Sequence, residues 1–112
     1  MSASANRQIA VFERDRGLPA GEVAIAFRRW NATTRRPLGN ADPFYERDDT
    51  ALRRDDYHVR TLLEVTLHAL RGKARRELSM VVGPADERVL QRTLYNPFAD
   101  PDLPWWMRRI GV

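Results

Sequence analysis

Residues Asp56 to Pro84 read DYHVRTLLEVTLHALRGKARRELSMVVGP, and whether this stretch is helix or strand decides the fold. Val59, Leu62, Leu63, Thr66, Leu67 and Leu70 recur at separations of three and four, which lays a broad apolar stripe along an α-helix. Asp49, Thr50, Asp55 and Asp56 each offer an N-cap, so the helix is expected to begin at about Thr50 or Asp56 and to run through Leu70. Gly72 weakens the pattern, which resumes with Ala74, Leu78, Val81 and Val82; one kinked helix or two fits equally well. The pair Gly83 and Pro84 is expected to stop that helix and open another, with proline at its first position and Asp86 and Glu87 in its first turn. Val89, Leu90 and Leu94 would then face inward until Asn96 and Pro97 end it.

Working outward toward the N-terminus, Ile9, Val11 and Phe12 stand among charges between Ser4 and Arg16, and Gly17 suits a C-terminal cap, which predicts a short helix. The next stretch, LPAGEVAIAFRRWN, alternates like a strand at Val23, Ile25 and Phe27 but also keeps helical spacing at Val23, Ala26, Phe27 and Trp30. Pro19 near its start, Glu22 in the first turn and Arg28 and Arg29 in the last favour helix. Residues 31–49, NATTRRPLGNADPFYERDD, hold two prolines, a glycine and several Asn and Asp without an apolar period, and are expected to form a long loop pinned by Phe44 and Tyr45. The fold class expected is all-α: one small domain, residues 1–112, of four or five short helices with a long loop and an extended Pro/Trp-rich C-terminal segment, and no strands.

The composition agrees with a folded chain. With 43% hydrophobic and 30% charged residues, there is enough apolar content to offset chain entropy. A chain of 112 residues buries roughly 60% or more of its unfolded surface, so one core is affordable and a second is not. Cysteine is absent, which excludes disulfides, thiolate zinc sites and a cysteine nucleophile. No leading basic segment precedes an apolar run, and no run reaches membrane-spanning length, so a cytoplasmic location is expected. Lys73 is the lone lysine among 19 Lys and Arg, and the net charge of +4 permits an anionic partner without requiring one.

Motifs for catalysis are missing. There is no GxSxG, no glycine-rich phosphate loop and no HExxH, and Asp55 and Asp56 are adjacent on a helix start, so their side chains diverge. Glu64 and His68 share a helix face but lack a third ligand beside them, and His58 lies ten residues away from His68, so a surface Glu–His pair is expected and no metal or cofactor. No catalytic residue is assigned. A nucleic-acid reading rests on two features: the helix–glycine turn–helix from Gln8 to Trp30, with Arg28 and Arg29, and the basic run RGKARR, with Arg71, Lys73, Arg75 and Arg76. Against it, the first turn of the would-be recognition helix is Pro19, Ala20, Gly21 and Glu22, which offers little to a phosphate or a guanine edge. The simpler reading packs Ile9, Phe12, Val23 and Phe27 together as a helical hairpin.

The C-terminus, PFADPDLPWWMRRIGV, concentrates prolines at 97, 101 and 104 ahead of paired tryptophans and arginines. The prolines fix φ and hold the segment out of helix, and the tryptophans must lie against something. Either Phe98, Leu103 and one tryptophan fold back onto the helices, or the segment docks on a partner, because Trp, Met and Arg are enriched in interface cores; a membrane-interface seat is disfavoured because no long amphipathic helix lies beside it. The expected function is a non-catalytic binding or assembly protein that engages a protein partner, or a second copy of itself as a homo-oligomer, through Trp105, Trp106, Met107, Arg108, Arg109 and Ile110, with Phe44 and Tyr45 assisting. The alternative is a small nucleic-acid-binding regulatory protein using the arginines named above and Lys73.

Overall fold

The computed structural model describes residues 1–35, Leu52 and residues 54–111. These form α1 (Ala3–Asp15), α2 (Glu22–Arg35), α3 (Arg54–Ala69), α4 (Gly72–Gln91), β1 (Thr93–Tyr95), a 3-10 turn (Trp105–Met107) and β2 (Arg109–Gly111). The described chain is thus mostly helical, as expected, with one addition. The two short strands pair antiparallel, with Leu94 opposite Ile110 and Tyr95 opposite Arg109.

Each helix end has a visible cause. The Ser2 hydroxyl caps α1 by accepting from the Ala5 N–H and donates to Glu77 on α4, so one side chain both starts a helix and ties it down. Gly17 at φ +68° ends α1, and the Leu18 N–H returns to the Glu13 carbonyl in a six-to-one bond. The start of α2 is capped from outside its own sequence. The buried Glu13 carboxylate of α1 accepts from the N–H groups of Gly21 and Val23, satisfying donors that no α2 side chain reaches.

Three expectations need correction. First, residues 31–35, assigned to the loop on composition, continue α2: Arg92 donates to the Thr34 carbonyl, Arg88 donates to Asn31 and to the Thr34 hydroxyl, and Thr33 donates to the buried Asp56. Partners from α3 and α4 therefore stabilise a helical turn that its own residues would not choose. Arg28 and Arg29 consequently sit inside α2 and not in its last turn. The remainder of the expected loop, with Phe44 and Tyr45, lies outside the described residues.

Second, Gly83 and Pro84 do not end a helix, because α4 runs straight through them to Gln91. Its buried residues Ala74, Leu78, Val82, Ala85 and Val89 keep one face inward on both sides of the proline. Proline ordinarily clashes with the Cβ of the residue before it, and Gly83 has none. Both residues are exposed beside the exposed Met80, so water can serve the carbonyl that lacks a proline N–H. The real break comes earlier, at Leu70 to Gly72, where Gly72 takes φ +56°.

Third, the helix expected to reach Asn96 stops at Gln91, and the C-terminal segment is no plain extended tail. It turns at residues 97–103, forms the 3-10 turn and returns as β2 onto β1. The core gathers Ala5 and Phe12 of α1, Val23, Ala26 and Trp30 of α2, Leu63 of α3, Leu70 after it, the α4 stripe and Trp106. Phe12 and Val23 are buried and Ile9 and Phe27 partly so, as a helical hairpin requires, although α2 packs mainly on α3 and α4.

Candidate functional site

Beside the core lies an arginine that the helix periodicity places on a buried face. Arg60 precedes Leu63 by three positions on α3 and is only 3% exposed. Its guanidinium grips Asp86 of α4 with a two-pronged contact, Nε to Oδ1 at 2.9 Å and Nη2 to Oδ2 at 2.8 Å, and Nη1 donates to Glu64 at 3.0 Å. The Trp30 indole of α2 donates to the same Asp86 Oδ1 at 2.9 Å. Trp106 from the C-terminal segment lies over the guanidinium, its ring centre 4.6 Å away, and Trp105 stands edge-on to Trp106. One node therefore joins α2, α3, α4 and the C-terminal segment. Both Asp86 oxygens are already engaged, so the node acts as a clamp and offers no free base.

The C-terminal lobe, residues 92–111, is held by a second arginine. Arg109 donates to the Thr93 hydroxyl at 2.8 Å and the Thr93 carbonyl at 2.7 Å, while the Thr93 hydroxyl donates to the Val89 carbonyl at the end of α4. Asn96 N–H closes the hairpin onto the Arg108 carbonyl, and Arg108 lies 5.9 Å from the Tyr95 ring centre. Its exposed side chains include several apolar ones: Phe98 is 95% exposed in the turn after β1, and Leu94, Tyr95 and Leu103 are exposed as well.

Of the residues expected to contact a partner, Trp106 is buried, and Trp105, Met107, Arg108, Arg109 and Ile110 are half-buried against the helices or within the hairpin. Phe98, which only the fold-back reading of this segment would bury, is left in solvent. Neither Arg60 nor Asp86 was singled out from sequence. The available signal was a charged residue on the inward stripe of each helix, Arg60 ahead of Leu63 and Asp86 between Val82 and Val89.

The cations divide by job. Arg75 is committed to the end of α3, donating to the carbonyls of Leu67, His68 and Leu70, as suits a cation at a helix C-terminus. Arg28, Arg29, Arg71, Lys73 and Arg76 are exposed. Burial, then the neighbouring charges of Arg35 and Arg92, hold the Arg88 guanidinium below the ordinary arginine value. His68 pairs with Glu64 at 2.8 Å on the surface, and among the described residues no group of three His, Cys, Asp or Glu is arranged to hold a metal ion. No described helix is long and apolar enough to cross a membrane. No known protein family matches the chain, and no curated protein and no solved structure is detectably similar to it.

Proposed function

We propose that this chain is a non-catalytic assembly protein whose C-terminal lobe docks on a protein partner. The observation that carries the reading is Phe98, an aromatic side chain 95% exposed on a lobe fixed to the helices by Trp106 over Arg60 and by Arg109 and Thr93 on carbonyls at the end of α4. A large aromatic on a pre-ordered frame contributes desolvated contact area without a further ordering cost, which is how interface hot spots work. The docking residues in this reading are Phe98, Leu94, Tyr95 and Leu103. Trp106 and Arg109 act as the frame, and Arg108 beside Tyr95 sets charge at the rim.

The test is the mass of the purified full chain by light scattering, for wild type and for Phe98→Ser. The expected result is an assembly larger than one chain that falls to one chain in the variant while the helical circular dichroism is unchanged. A Phe98→Ser protein that assembles as wild type does, or that keeps full affinity for whatever protein the wild type binds, removes the lobe from the reading. The nucleic-acid alternative, resting on Arg28, Arg29, Arg71, Lys73 and Arg76, predicts something different. Affinity for duplex DNA would fall by roughly 10³-fold or more between 50 and 200 mM salt for about six phosphate contacts, and Phe98→Ser would leave it unchanged.

A further inference from the structure

At the far end of α4 from the lobe, a groove of about 480 Å³ opens between α1 and the turn from α3 to α4. Its floor is apolar, formed by Val11, Phe12 and Leu70, and Arg7, Arg16 and Arg71 stand around it. None of these three arginines forms an ion pair among the described residues; Arg16 lies over the Phe12 ring at 5.5 Å, and Arg7 and Arg71 are exposed. The one acid in the lining, Asp15, is 4.0 Å from Arg14, so the groove carries an excess of positive charge over an apolar base.

The lobe has the opposite character. Its loop, Pro97 to Pro104, exposes Phe98 and Leu103 together with Asp100 and Asp102, and neither aspartate forms an ion pair among the described residues. Two carboxylates set between two apolar side chains match, in charge sign and in apolar character, a groove with three guanidinium groups around an apolar floor. The loop cannot reach the groove of its own chain. The groove lies at the Gly72 end of α4 and the lobe follows Gln91, so the 20-residue helix between them separates the two by about 30 Å.

We infer that the groove on α1 receives the Pro97 to Pro104 loop of a second copy of this chain. Asp100 and Asp102 pair there with Arg7, Arg16 and Arg71, and Phe98 covers the exposed Val11. The inference rests on the lobe reading above and names its partner. Because the two surfaces differ, the contact is head-to-tail, and it either closes into a ring or continues as a filament. An acidic partner of another kind, or a nucleic acid, would use the groove without the loop, and the wild type alone would then stay at one chain in the test.

The test uses two charge-reversed full-length chains, D100R/D102R and R7E/R71E, with all four positions exposed, so that folding is preserved. Sedimentation velocity over a concentration series is run on wild type, on each variant and on their equimolar mixture. Wild type is expected to associate, each variant alone to associate at least about tenfold more weakly, and the mixture to recover association because basic loop then meets acidic groove. A wild type that stays at one chain throughout overturns the inference and leaves the lobe to a different protein. Association that Phe98→Ser abolishes but R7E/R71E does not also overturns it, while the lobe reading survives. Two weakened variants whose mixture fails to recover show that the charges do not meet, which overturns it as well.

Discussion

Phe98 and Trp106 are eight residues apart in one proline-rich segment, yet one is almost wholly in solvent and the other is 5% exposed. Hydrophobicity does not separate them. What does is the pairing of β2 onto β1, which returns the chain so that the residues just before Arg109 lie on the helices while the turn beyond Asn96 projects outward. An aromatic residue in a tail becomes an anchor or a contact surface according to where the chain reverses, and the composition of the tail is silent on that point.

The contrast can be broken hardest at the anchor. Trp106→Ala is expected to cost roughly 3–5 kcal/mol of stability, since it opens a cavity beneath the lobe and uncovers Arg60, and urea unfolding followed by circular dichroism measures it. Arg60→Ala is expected to cost a similar amount, about 3–5 kcal/mol, because Asp86 then stays partly buried without its ion-pair partner. The two side chains touch, so the double variant should lose less than the sum of the singles by about 0.5–3 kcal/mol; strict additivity would show that Trp106 does not rest on the guanidinium. Arg109→Ala comes next. It removes charged hydrogen bonds to Thr93 and should cost about 1–3 kcal/mol while loosening Trp106 and Phe98 together, which tryptophan fluorescence and assembly mass would both report. Phe98→Ser sharpens the comparison from the other side. Its effect on unfolding should stay within about 0.5 kcal/mol even as assembly is lost, and a larger destabilisation would mean that Phe98 serves the fold.

How much of this was readable in the sequence depends on the range of the force involved. The stripe from Val59 to Leu70 predicts α3 to within a few residues, and Gly17 predicts the end of α1, because both depend on neighbours within one or two helical turns. The two glycine-containing breaks show where that reasoning stops. The sequence marks Gly83–Pro84 as the stronger stop, but the helix ends at Ala69 and a new one starts at Gly72. The continuous inward face from Ala74 to Val89 outweighs the local cost of proline, which Gly83 and solvent exposure reduce.

The chain by itself determined a mostly helical fold and the positions of α1 and α3, since hydrophobic period and caps act along the sequence. It also set the net positive charge and placed three of the seven prolines and two of the three tryptophans in the last sixteen residues. Tertiary structure alone decided that Glu13 caps α2, that Arg60 and Asp86 meet across two helices, and that Trp106 lies over them while Phe98 does not. Those contacts join residues 10 to 46 positions apart. A hydrogen bond or a ring contact depends on distance in space, and only the packed helices and the β1–β2 register bring such residues within a few ångströms.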